Sequence, residues 1–161
     1  MYRTCYPALV RYLHRLVWDA DQAQDLAQEA FARALTQRAD NPKAYVFRVA
    51  TNLARDEARS AIRRRKQQAL LQNEAAARGP GEDPGTGYEH DEQRESVRRA
   101  LDQLGDGDRE ALLLWDAGMS YEEIATGTGL SVGSVGTTLA RARRRLVEAY
   151  QELEKDHAAR R

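Results

Sequence analysis

Cysteine is nearly absent: Cys5 stands alone among 161 residues. A disulfide within the chain is therefore impossible, and zinc sites of four cysteines, or of two cysteines and two histidines, are excluded. Cys5 reads as a small, partly buried apolar residue. Histidine is also scarce. His14, His90 and His157 fall in the two halves and the segment between them. No Ser/His/Asp or Cys/His grouping has a credible context, and no glycine-rich phosphate loop follows a strand pattern. No catalytic residues, no metal and no cofactor are expected. Long apolar runs are missing too: nothing approaches the ~20 residues needed to cross a bilayer, and the N-terminus lacks a secretory pattern. The expectation is a cytoplasmic protein without membrane insertion. The chain begins almost inside its first helix, which leaves an upstream segment open.

Net charge is zero, with 25 basic and 25 acidic residues. That balance conceals segregation. Residues 1–66 carry 13 basic and 7 acidic side chains, residues 67–95 carry 2 and 7, and residues 96–161 carry 10 and 11. Local patches, not the total, are what nucleic acid responds to.

Helical periodicity fills both ends of the chain. Leu9, Val10, Leu13, Leu16 and Val17 recur at spacings of three and four. Asp19 or Asp21 can cap a second helix with the stripe Ala23, Leu26, Ala27, Ala30, Phe31, Ala34 and Leu35. Asp40-Asn41-Pro42 marks a third start, because a capping side chain precedes a proline. That helix runs to about Lys66, with Tyr45, Val46, Val49, Ala50, Leu53, Ala58 and Ile62 as its expected buried face. Gln67 to Ala77 fits either its continuation or the start of a linker. Residues 78–92, RGPGEDPGTGYEHDE, hold four glycines, two prolines and five acids, and a segment with so little to bury is expected to be flexible. A second helical unit starts near Asp91, with Val97, Leu101 and Leu104 on one stripe. Asp106 is placed to cap a short helix holding Ala111, Leu112, Leu114 and Trp115, which Gly118 ends. Ser120 and Glu123 form a capping box. A last helix follows Ser131, with Val132, Val135, Leu139, Ala142 and Leu146 turned inward. The fold class is all-α: two small helical domains, 1–66 and 96–156, joined by a flexible acidic linker at 67–95.

Three polar surfaces stand out. In the last helix Ser131, Ser134, Thr137, Thr138 and Arg141 are expected outward, followed by Arg143, Arg144 and Arg145. With a short helix and a glycine turn upstream, this is a helix-turn-helix, whose second helix enters the DNA major groove. Short hydroxyl side chains permit close approach, and arginines meet phosphates or base edges. The third helix carries Arg48, Asn52, Arg55, Asp56, Arg59 and Arg63. Arg55, Arg59 and Arg63 stack at i, i+4, i+8, a repulsion that an anionic partner relieves; a merely solvated basic face is the alternative. On the second helix Asp25, Gln28 and Glu29 share one polar face. Glu29 is spaced to pair with Arg33, so this face reads either as an intrahelical pairing or as a dock for a basic partner.

Taken together, DQAQDLAQEAFARAL, AYVFRVATNLARDEAR and SYEEIA…GLSVGSVGTTLARARRRL resemble, in order and separation, bacterial RNA polymerase sigma factors of the extracytoplasmic-function (ECF) group. The resemblance implies a non-enzymatic specificity subunit with promoter-binding regions 2 and 4. It assigns Asp25, Gln28 and Glu29 to the clamp helices of the core polymerase's largest subunit, with region 4 at the flap. It assigns Asn52, Arg55, Asp56 and Arg59 to melting and reading the −10 element, with the loop from Arg38 to Pro42 helping to capture a flipped base. Ser131 to Arg145 fall to the −35 element of the promoter DNA. An anti-sigma factor is a typical partner. Gly136, Thr137 and Thr138 stand where members usually carry a basic residue and a Ser-Arg pair, and Tyr45 stands where tryptophan is common. The alternatives are a helix-turn-helix regulator that never engages polymerase, and a relative that binds only protein.

Overall fold

The structure, a computed structural model, describes residues 2–71 and 88–160. Among them are seven helices and no strand: α1 (Tyr2–Val17), α2 (Ala20–Leu35), α3 (Pro42–Leu71), α4 (Tyr88–Asp102), α5 (Asp106–Asp116), α6 (Tyr121–Thr128) and α7 (Val132–Ala159). The expected start signals work largely through side-chain caps. Asp19 accepts from the Gln22 amide at 3.0 Å and opens α2, and Asn41 accepts from the Ala44 amide at 3.0 Å and opens α3. Ser120 and Glu123 close both halves of the capping box on α6, at 3.2 and 3.1 Å. Each cap satisfies a donor that the helix leaves orphaned. One start differs. Gly105 is the N-cap of α5, and Asp106 is its first residue; there it takes Arg109, three residues on, as a partner.

The boundaries of the expected linker also shift. Residues 67–71 continue α3, and residues 88–95 already belong to α4. The remainder of that segment lies outside the described residues.

The three N-terminal helices bury Leu9, Tyr12, Leu13, Ala23, Ala27, Ala30, Phe31, Val46, Phe47 and Ala50. Inside this core Tyr12 and Thr51 meet, Oη to Oγ1 at 2.8 Å, while Thr51 donates to the Phe47 carbonyl at 2.7 Å. Burial pushes the Tyr12 hydroxyl pKa up, only partly offset by the bond to Thr51. The stripe expected to continue along α3 does not: Ala58 is exposed and Ile62 is 53% exposed. The second half of α3 faces an open cleft, lined by Ala58, Ala61 and Ile62 on one side and Leu16, Trp18 and Arg98 on the other, so its apolar positions are not closely packed. Leu35, at the end of α2, is also exposed.

The second unit packs α4, α5, α6 and α7 through Ala100, Leu101, Leu104, Ala111, Leu113, Leu114, Ile124, Val135 and Leu139. Val97 and Val132, expected inward, are each more than 40% exposed, and so is Trp115. Ser96 and Ala100 take the inward positions of α4 instead. The two units are not separate. Their buried side chains form one continuous cluster, α3 lies along α6, and α1 touches α5. Trp18, between α1 and α2, adopts φ +56°, a left-handed conformation that costs a bulky residue roughly 1–2 kcal/mol. Arg98 of α4 stacks 5.4 Å from its ring centre, so the strained turn sits at the junction of the two units.

Candidate nucleic-acid interface

α7 presents the helix-turn-helix face. Gly129, at φ +79°, ends α6 in a left-handed cap that only glycine adopts without strain. Residues 130 and 131 then turn the chain into α7, with Ser131 as the N-cap. Ser131, Val132, Gly133 and Thr137 are exposed, and Ser134 is half-buried. The two serines bond to each other, Oγ to Oγ at 2.9 Å, and Ser134 donates to the Ser131 carbonyl at 3.0 Å. Beyond Gly133 a Cβ would meet nothing within 4 Å. This end of the helix is smooth and small, as close approach to a duplex requires.

Thr138 corrects the expectation. It is 5% exposed and belongs to the packed row Val135, Thr138, Leu139 and Ala142, set by spacings of three and four. It contributes to the seat of α7, not to its outer face.

The arginines of α7 divide into two pairs. Arg141 donates to Asp108 from Nη2 at 2.7 Å and from Nε at 3.3 Å, and Arg145 donates to the same carboxylate at 3.0 Å. The Arg141 hydrogen bond is the main cause of an Asp108 pKa below the usual carboxylate range, against the opposing pull of desolvation. Arg143 instead stacks over Trp115, 5.7 Å from the ring centre, and Arg144 lies 3.9 Å from Glu148 in an exposed pair. Such a pair is worth about 0–1 kcal/mol and exchanges readily for a phosphate.

On α3, Arg48, Asn52, Asp56, Arg59 and Arg63 are exposed. Arg55 is not free. Its Nε and Nη2 grip the Glu110 carboxylate of α5, the first at 2.8 Å, and the Glu110 side chain is 2% exposed. Two further polar contacts join the units: Arg15 to Asp116, and Asn41 Nδ2 to Glu123 Oε2 at 3.1 Å. Burial favours the neutral form of Glu123, but the Ser120 amide and Asn41 outweigh it and hold its pKa below the ordinary value. On α2, Asp25, Gln28 and Glu29 are exposed together, and Glu29 accepts from Arg33 Nε at 2.8 Å. The described residues contain no group of acids, histidines and cysteine able to hold a metal.

Asp108 and Glu110 are the residues that a reading of exposed basic faces misses. A signal was present. Both acids fall on the inward side of α5, Asp108 three residues before Ala111 and Glu110 four before Leu114, and an acid at an inward position implies a cation to meet it.

Residues 1–66 match the Sigma-70 region 2 family, and residues 94–146 match Sigma-70, region 4. The chain is 35% identical over 146 residues to the ECF RNA polymerase sigma factor EcfG of Rhodopseudomonas palustris, covering 87% of this chain and 77% of that one. The chain belongs to the ECF sigma factors. It is also 32% identical over 157 residues to the RNA polymerase sigma-H factor of Pseudomonas aeruginosa, covering 90% and 79%. Among solved structures it is similar to the sigma factor RpoE of Bartonella quintana, crystallised with the anti-sigma factor NepR: 26% identity, coverage of 93% and 94%, and a TM-score of 0.62. Sigma factors are initiation subunits that bind core RNA polymerase and direct it to promoters. No helix among this chain's described residues is long and apolar enough to cross a membrane.

Proposed function

We propose that this ECF sigma factor divides its work among three surfaces and acts in the cytoplasm, where core polymerase is found. Asp25, Gln28 and Glu29 dock on the clamp helices of the largest polymerase subunit, while region 4 engages the flap. Arg48, Asn52, Arg55, Asp56, Arg59 and Arg63 hold the −10 strand, with arginines on phosphates and the Asn52 amide offering a donor and an acceptor to a base. Ser131, Ser134, Thr137, Arg143 and Arg144 face the −35 duplex, and Arg141 and Arg145 reach it only by leaving Asp108. An anti-sigma factor covers some of these faces, as NepR binds the similar RpoE.

The observation that carries this reading is the coexistence, on one chain, of an exposed acidic face on α2 and two basic helices, α3 and α7. A helix-turn-helix regulator acting without polymerase explains α7 and leaves α2 and α3 without a task. The test is a pull-down on core polymerase with Asp25→Lys and Glu29→Lys together. Retention should be lost while circular dichroism shows unchanged helix content, because both side chains are exposed. Unchanged retention would overturn the assignment of α2. Run-off transcription from a promoter library with added core then reads which sites fire.

A further inference from the structure

We propose that the cleft between α3 and the α1–α2 turn is a binding site for a small amphipathic anion, an acidic head on an aliphatic chain of fatty-acid type. The site goes beyond the polymerase and DNA assignments above and does not depend on them.

The cleft holds about 950 Å³ of open space, within the size range of pockets that take small molecules. Its lining is in part aliphatic: Leu16 and Val17 come from α1, and Ala54, Ala58, Ala61 and Ile62 from α3. Ile62 is left 53% exposed there. Apolar surface open to water gains from any apolar body that covers it.

The charged part of the lining is unevenly paired. Asp19 caps α2, Glu57 pairs with Arg64, Asp106 with Arg109, and Glu110 with Arg55. Among the described residues Asp21 is the one acid of the cleft without a partner, whereas Arg59, Arg65 and Arg98 all lack an acid. Unopposed guanidiniums attract a carboxylate or phosphate head. The same excess of cations disfavours an ammonium.

Two donors in the lining point to the same ligand. Trp18 Nε1 and Arg109 Nε are buried without an acceptor among the described residues, which is rare and unfavourable in a folded protein. Trp18 also holds its left-handed φ of +56°, and backbone strain of this kind collects at binding sites. Arg98 stacks over the Trp18 ring, 5.4 Å from its centre. It is half-buried and tied to no acid, so an anionic head draws it off the indole and accepts from the indole N–H. The acceptor that these donors lack is an oxygen of the ligand. A purely apolar ligand leaves the guanidiniums unanswered, and an inorganic anion leaves the aliphatic lining open.

The test titrates octanoate, below its micelle-forming concentration, into the full chain labelled with nitrogen-15, and follows the indole N–H signals by two-dimensional NMR. Trp18 and Trp115 are the two tryptophans, and Trp115→Phe assigns their signals. The Trp18 signal should move downfield and saturate, as a new hydrogen bond requires, while Trp115 stays in place. Acetate carries the head without the chain, and octanol the chain without the head; each should bind at least about tenfold more weakly than octanoate. Ile62→Glu places an acid in the aliphatic lining at an exposed position, so helix content should hold while octanoate affinity falls at least about tenfold. Arg65→Glu, outside the proposed polymerase and DNA faces, is the second variant and should weaken octanoate in the same direction. A Trp18 signal that does not move, an equal shift at Trp115, octanol binding as tightly as octanoate, or full affinity in both variants would each overturn the site.

Discussion

Asp108→Ala should make this protein less stable and, at the same time, a tighter binder of DNA. The Asp108 carboxylate, with a side chain 6% exposed, accepts three hydrogen bonds from Arg141 and Arg145. Hydrogen bonds to a charged group are worth about 1.5–3 kcal/mol each when both partners are dry. Here the guanidiniums are about half exposed, at 46% and 53%, so they rehydrate when the carboxylate goes. Alanine also removes the cost of burying the acid. The net loss is about 1–2 kcal/mol after that discount. For a chain of this size with one continuous core each kcal/mol lowers Tm by about 2–4 °C, which thermal denaturation followed at 222 nm resolves. The second effect has the opposite sign. Two arginines released on the outer side of α7 become available to phosphates. Each phosphate newly neutralised adds about 0.9 to the slope of log K against log salt. Anisotropy titrations of a random 30-base-pair duplex between 50 and 200 mM salt should show a slope steeper by up to about 2. If the slope is unchanged, or affinity falls with stability, then Asp108 positions these arginines for DNA instead of withholding them, and the division of the α7 arginines drawn above is wrong.

Thr51→Val should cost more than Tyr12→Phe. Valine leaves the buried Tyr12 hydroxyl without its 2.8 Å partner, at about 1–3 kcal/mol, whereas Thr51 keeps the Phe47 carbonyl when Tyr12 loses its hydroxyl; the double variant should be more stable than Thr51→Val alone, and urea denaturation of the cycle checks the order. Gly136→Ala should stabilise α7 by up to about 1 kcal/mol, since a Cβ there meets the Tyr121 ring at an ordinary 3.6 Å; a fall in Tm would show that the ring cannot accommodate it. Stability should drop in acid. The pKa values of Asp108 and Glu123 lie below their unfolded values, Asp108 chiefly through Arg141 and Glu123 despite its burial. Their contribution is complete above the ordinary carboxylate range near ~4 and is lost as pH falls through the lowered values. Melting from pH 7 to 2.5 should show this decline, and Asp108→Asn should make it shallower.

The local grammar of the chain was legible because its causes are local. Asp19, Asn41 and Ser120 cap helices through residues three positions away, and periodicity alone placed Leu9, Leu13, Ala27, Val46, Val135 and Leu139 in the interior. The misreadings share a different cause. Thr138, expected outward with Ser134 and Thr137, instead falls in the row with Val135 and Ala142, and that row is buried. Ile62, expected inward as the continuation of the α3 stripe, lines an open cleft in which no helix packs closely enough to bury it. A helix face is therefore specified by its pattern only over the length that another element covers.

The same distinction bears on the basic residues. Counted along the chain, Arg55, Arg141 and Arg145 look like their neighbours Arg59, Arg143 and Arg144. In space they differ because α5 brings two nearly buried acids, Asp108 and Glu110, to meet them. An acid on an inward helix position is a costly placement unless a cation reaches it, so those two carboxylates identify which arginines serve the fold of the free protein. The remaining ones, Arg59, Arg63, Arg143 and Arg144, have no buried acid among their partners. On the proposed assignment, the first contact with DNA should be made by this second set, with Arg55, Arg141 and Arg145 joining only when a phosphate displaces a carboxylate. Binding should accordingly occur in two steps that differ in salt dependence, the slower one abolished by Glu110→Gln together with Asp108→Asn. Stopped-flow anisotropy with the full chain separates them; a single phase of unchanged salt dependence in both proteins would show that the two sets of arginines act as one.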